Sequence, residues 1–160
     1  MNLTVEDIET LSAGAAKAPA ALFEAIHQVG KRRVNAGLVT AMRYDEAAAM
    51  VERLYSSNPA AYPVGGRKLK RDSDWSQHVL VEHRVLVSAG DELVKKHYAD
   101  YEQIFGLGLH SCVNIPLVSN GTCIGTLNVL RAKPDWNADD VAVVRALGLA
   151  ALAAVLMTGA

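Results

Sequence analysis

The sequence predicts an α+β fold built as a single domain. Three observations carry that reading: an Asn120-Gly121 turn between two apolar strand-like runs, helical apolar spacing at both ends of the chain, and short strands and helices alternating between them. The predicted order is helix, strands, helical insert, strands, helix. At 160 residues the chain has the length of one domain, and a chain of this size buries roughly two-thirds of its unfolded surface without help from disulfides or structural metal. No internal repeat and no Pro/Gly/Ser linker divides it, so residues 1–160 are read as one unit, with a helical segment over 1–30 and a final helix over 138–157.

Thr4 followed by Asp7 is a helix start, a side-chain oxygen capping the first free amides. Val5, Ile8, Leu11 and Ala15 then recur at helical spacing. Gly14 and Pro19 mark a break, and Pro19 suits the first turn of a second stretch carrying Leu22, Ile26 and Val29 on one face. Gly30 and the cations Lys31-Arg32-Arg33 are expected to end it. Gly37 to Asp45 reads as a strand, Asp45-Glu46 as a turn, and Ala48 to Ser57 as the returning strand. Asn58-Pro59 and Pro63 to Gly66 are loop signals. Asp72 or Ser73 can cap a helix running to Glu82. Arg84 to Ala89 is a short strand, and Asp91 to Phe105 has the spacing of one continuous helix, stopped by Gly106-Leu107-Gly108.

His110 to Val118 and Thr122 to Arg131 form the best-defined element, a hairpin. Alternation puts Val113, Ile115 and Leu117 on one face of its first strand, and Cys112, Asn114 and Pro116 on the other. On the second strand Leu127 and Val129 oppose Thr126, Asn128 and Leu130. A bare two-residue turn would set Asn114 against Leu127 and mix the faces. One extra residue, expected as a bulge at a left-handed Gly121, sets Asn114 against Asn128, Ile115 against Leu127, Cys112 against Leu130 and Cys123 against Ser119. One face is then apolar for packing on helices. The other holds Cys112, Asn114, Thr126 and Asn128, whose amides and hydroxyl either satisfy one another, face water, or line a pocket under the helical insert. Pro134 and Asn137 or Asp139 introduce the last helix, with Asp139 and Asp140 in its first turn.

Composition narrows the function. A formal charge of −1 offers no bulk attraction to nucleic acid, and Lys31-Arg32-Arg33 and Arg67-Lys68-Leu69-Lys70-Arg71 read as solvated loop or helix ends. Two cysteines, Cys112 and Cys123, make no framework and no C-x-x-C. Acidic residues at the N-terminus argue against a signal peptide. The apolar Ala146–Ala160 stretch, at about 15 residues, falls short of the ~20 of a membrane span. A cytoplasmic protein is expected, with no membrane and no nucleic-acid partner. No His-Glu-x-x-His or Cys/His spacing supports a metal site. The histidines leave a haem ligand open, and no cofactor is named by the sequence.

A family resemblance rests on Leu107 to Leu117, the Asn120-Gly121 turn, Ile124-Gly125-Thr126-Leu127-Asn128-Val129-Leu130, and Trp136 to Asp140 before the final helix. This order resembles the late strands of GAF domains, and the likeness extends from about residue 20 to the end. It implies a central antiparallel sheet with the first and last helices on one face. On the other face, loops and short helices would enclose a small-molecule pocket. It also implies a sensory or regulatory role, often as a dimer. The Asn-Lys…Phe…Asp-Glu signature of cyclic-nucleotide-binding members has no match here. Free methionine sulfoxide reductases of this fold use pocket cysteines and acidic side chains. Here the positions of those acids hold Cys112, Asn128 and Leu130, and the Gly-Val-Cys-Gly-type loop is absent.

The candidate ligand-binding residues are Tyr55, Trp75, His78, Tyr98, Tyr101, Cys112, Asn114, Thr126 and Asn128; no catalytic residue is assigned. The aromatic ones are either the cores of small helices or a sandwich for a planar or apolar ligand. Cys112 is either an inert small hydrophobe or a reactive thiol. The last helix is apolar nearly all round, so it should be covered on more than one side, and a homodimer through the first and last helices is expected. Three functions follow in order: a ligand-sensing module, an enzyme of the reductase type, and a dimerisation or docking module without ligand.

Overall fold

The computed structural model describes residues 2–159. Its first helix, α1 (Val5–Lys17), starts in a capping box: Thr4 Oγ1 accepts from the Asp7 amide at 3.2 Å, and the Asp7 carboxylate accepts from the Thr4 amide at 2.9 Å. Ala18 is extended and ends α1. Pro19 then occupies the first position of α2 (Pro19–Val34). Beyond Gly30, α2 carries the expected cations Lys31, Arg32 and Arg33 in its last turn and ends at Val34, before Asn35 in the left-handed cap conformation at φ 56°. Asp7 is fully buried and receives Arg32 at 2.9 Å and Arg33 at 2.6 Å, so this cationic turn is clasped to α1 rather than solvated.

The sheet has six strands in the order β3-β2-β1-β6-β5-β4, all neighbours antiparallel. They are β1 (Leu38–Asp45), β2 (Met50–Ser56), β3 (Arg67–Leu69), β4 (Leu86–Ala89), β5 (Ser111–Ser119) and β6 (Thr122–Arg131). The edge strand β3 falls where only a solvated basic run was expected. α3 (Asp74–Ser76) is capped by Ser73 and continues as one π-helical turn over Gln77–Val81. The helix expected over 91–105 is two, α4 (Asp91–His97) and α5 (Tyr101–Gly106), broken at Tyr98–Asp100. Asn137 caps the 20-residue α6 (Ala138–Met157), its side chain accepting from the Asp140 amide at 2.8 Å.

The β5–β6 hairpin has the expected facing pairs Asn114↔Asn128, Ile115↔Leu127 and Cys112↔Leu130. The extra residue lies elsewhere. The turn is a bare two-residue one, with Asn120 at φ 52° and Gly121 at φ 78°, the left-handed pair that matches strand twist. The register instead shifts between Leu117 and Val118, where Ile124 has no partner, so Cys123 faces Val118 and not Ser119. The next residue must be glycine. A Cβ on Gly125 would run into the carbonyl oxygen of Met42 on β1.

α2 and α6 lie on one face of the sheet. Leu22, Ile26 and Val29 of α2 and Val144, Leu147 and Val155 of α6 pack with Val39, Val113, Ile115, Leu127 and Val129 in the main core. Gly148 faces the sheet, where a Cβ would stand 2.8 Å from Ile115 Cγ2, so α6 lies close on β5. By length and composition α6 could cross a membrane, a property the shorter Ala146–Ala160 count missed. Here its inner side is packed in the core, while Leu149, Leu156 and Met157 are exposed. Arg131, 2 % exposed, closes the end of this layer. Its Nη1 donates to the Val34 carbonyl at 3.0 Å and to Asp140 at 2.9 Å, and its guanidinium lies 3.7 Å from the Trp136 ring centroid.

Candidate functional site

The opposite face of the sheet carries the polar alternates of its central strands. β1 sends Leu38, Thr40 and Met42 to it, β5 sends Cys112 and Asn114, and β6 sends Asn128 and Leu130. The segment 67–73, α3, α4 and α5 cover this face. Between them and the sheet lies a cavity of about 500 Å³, a volume typical of small-molecule sites.

A chain of hydrogen bonds crosses the cavity floor. Trp75 Nε1 donates to Asn114 Oδ1 at 3.1 Å, and the Tyr98 hydroxyl donates to the same oxygen. Asn114 Nδ2 donates to Asn128 Oδ1 at 2.7 Å, and Asn128 Nδ2 to Thr40 Oγ1 at 3.1 Å. The indole is a donor only, and this fixes the orientation of both amides. Burial makes the satisfied network stiff, because an open amide there would cost about 1–3 kcal/mol. The break between α4 and α5 has its reason here: Tyr98 leaves the helix to reach Asn114.

Beside this chain, Ser88 Oγ lies 2.7 Å from His97 Nδ1. Burial, with Lys96 nearby, lowers the pKa of His97 and favours its neutral form. Cys112 is buried, which pushes its thiol up to about 12 and leaves it protonated at neutral pH. Cys123 is also free and buried, in a separate apolar cluster with Tyr44, Val79, Leu80 and Leu86.

Of the nine residues singled out from the sequence, Trp75, Tyr98, Tyr101, Cys112, Asn114 and Asn128 line the cavity. Three lie elsewhere. Tyr55 is on the helix side, stacked on Phe23 at 5.6 Å with its hydroxyl donating to Glu24 at 2.7 Å. The cause is an irregularity between Ala41 and Met42, which pair with Tyr55 and Arg53. Leu54 is left over, and the alternation of β2 reverses there. His78 turns its Nε2 to the Val85 carbonyl at 2.9 Å. Thr126 is buried on the same side of β6 as Asn128 but outside the cavity lining, and its hydroxyl has no partner among the described residues.

The sequence reading missed Thr40, Arg53 and the rim cations. Thr40 was within reach: on β1 it shares a face with Leu38 and Met42, and the strand pairs it with Asn128. Lys68, Lys70 and Arg71, expected in a solvated run, line the cavity together with Arg53, Lys95 and Lys96.

Comparison with known proteins agrees with this architecture. The model of the family described as "GAF domain" matches residues 18–155. No curated protein matches the chain significantly. Among solved structures, the GAF domain of a phosphoenolpyruvate-protein phosphotransferase from Coxiella burnetii aligns at 15% identity. The alignment covers 97% of this chain and 93% of that one, with a TM-score of 0.75. The GAF domain of a two-component sensor histidine kinase from Bacillus halodurans aligns at 15% identity, covering 85% and 92%, with a TM-score of 0.69. A GAF domain/HD domain protein from Geobacter sulfurreducens aligns at 11% identity, covering 89% and 93%, with a TM-score of 0.66. At these identities the likeness is one of fold.

Proposed function

This chain belongs to the GAF domain family, and from that premise we propose that it is a cytoplasmic sensory or regulatory module that binds a small molecule between its sheet and its helical insert. The observation that carries the reading is the cavity of about 500 Å³ over a buried amide chain. Its walls combine apolar surface (Leu38, Leu130, Ile104) with a few oriented polar groups, the mixture that ligand pockets use. Trp75, Tyr98, Tyr101, Cys112, Asn114 and Asn128 are the proposed ligand contacts. A reductase would need a thiolate, and the buried, protonated Cys112 weighs against it. The open cavity weighs against a docking module with a filled pocket.

The signal is proposed to leave through a homodimer formed by α1 and α6, whose exposed residues include Val5, Ile8, Leu149, Leu156 and Met157. Native mass spectrometry of gently purified protein is expected to show a co-purified small molecule. Adding that molecule back should raise the melting temperature by mass action, and Asn128→Ala should abolish the rise while the variant stays folded. Clean apo masses from repeated preparations would remove the sensory reading. Light scattering that shows a strict monomer would remove the dimer.

A further inference from the structure

The floor of the cavity has a direction. Trp75 can only donate, so Asn114 must turn its carbonyl oxygen to the indole and its amino group to Asn128. Asn128 must do the same in turn, and its amino group donates to Thr40 Oγ1. Thr40 therefore spends a lone pair inside the chain and keeps a hydroxyl proton, for which no acceptor occurs among the described residues. Whatever sits against Thr40 is offered a donor.

Next to it, Arg53 faces Met42, the residue two along from Thr40 on the same side of β1. Its Nη1 donates to the Pro63 carbonyl at 3.0 Å and its guanidinium lies 5.2 Å from the Tyr62 ring centroid, which holds the head in place. Its Nε is buried and has no partner among the described residues. Six cationic side chains line the cavity (Arg53, Lys68, Lys70, Arg71, Lys95 and Lys96) against two carboxylates, Asp72 and Asp100. Asp72 projects into solvent and pairs only loosely with Lys70, at 3.8 Å. Asp100 is occupied by the Tyr62 hydroxyl at 2.7 Å. In a chain whose formal charge is −1, this is a local concentration of positive charge around one hollow.

Resting on the reading of the cavity as a ligand site, we infer that the ligand is a small organic oxyanion, a carboxylate or phosphate ester. Its oxygens meet Thr40 Oγ1 and the Arg53 guanidinium, and its apolar body lies against Leu38, Leu130 and Tyr101. Charge-assisted bonds to the guanidinium supply specificity, and the lysine rim supplies attraction during approach.

The test uses two matched pairs of probes, benzoate with benzamide and phenyl phosphate with phenol, titrated into the ¹⁵N-labelled protein. The readouts are the Asn114 and Asn128 side-chain amides and the Arg53 Nε–H. At least one anion is expected to shift these resonances saturably and to bind about tenfold more tightly than its neutral mate. Arg53→Gln should remove that preference. Thr40→Val should weaken the anion by a similar factor, whereas Thr40→Ser should retain it, so the inference stays testable if one variant fails to fold. Neutral mates that bind as well as the anions would overturn the oxyanion assignment and leave the pocket standing. Absence of saturable shifts with all four probes would overturn both.

Discussion

The two faces of the sheet bury comparable strands for opposite ends. Toward α2 and α6, Val113, Ile115, Leu127 and Val129 join one continuous cluster of buried apolar side chains. Toward the insert, the same two strands present Cys112, Asn114, Asn128 and Leu130, and the cover stands off to leave a hollow. The lesson is where stability and specificity reside. Packing on the helix side needs only apolar shape, which many sequences provide. On the cavity side the amides of Asn114 and Asn128 are bonded in a chain, and a single donor-only indole determines their arrangement.

This contrast can be broken by mutation, beginning with the largest effect. Leu127→Ala, at a fully buried position on the helix side, is expected to cost about 3 kcal/mol in urea unfolding, from lost apolar burial and the gap left behind. Should it cost no more than a cavity-side change, the two faces are not packed differently. Asp7→Asn should cost about 2 kcal/mol by removing the carboxylate that Arg32 and Arg33 share. Burial alone would raise the pKa of Asp7, but bonds from the Thr4 amide and from Arg33 and Arg32 outweigh it and hold the carboxyl far below the ordinary range. A depressed carboxyl stabilises the fold fully above its unfolded value of about 4, and the contribution fades as pH falls through the folded value. The stability gap between wild type and Asp7→Asn should therefore stay constant from neutrality to about pH 4 and narrow below it. A gap that widens on acidification would contradict the clasp. Asn114→Ala should cost least, about 1 kcal/mol, since water in the cavity can take over the Trp75 and Tyr98 donors.

What the sequence disclosed follows from how local each cause is. The hairpin register was legible because alternation and the Asn120-Gly121 turn constrain it from both ends, and only Ile124 was needed to reconcile them. The position of that extra residue was not legible, since it answers to the Met42 carbonyl on another strand. Tyr55 was misplaced because one unpaired residue, Leu54, reverses every later side chain of β2. The break at Tyr98 carries no glycine or proline and arises from a bond to Asn114, 16 positions away. Arg131 and the cationic rim depend on segments far apart in the chain, where pattern within a window is silent.

Trp75 has one further consequence, because it sits at the head of a relay whose amides could be read either way. An indole works there like a one-way valve: polarity enters at the roof and emerges at Thr40 as an outstretched proton. A side chain able to accept as well as donate in its place would let Asn114 and Asn128 swing over together. Thr40 would then present a lone pair, and the hollow would favour a visitor that gives a proton over one that takes it. Taste for a ligand, in such an arrangement, can be rewritten at the far end of the floor from the atoms that meet it.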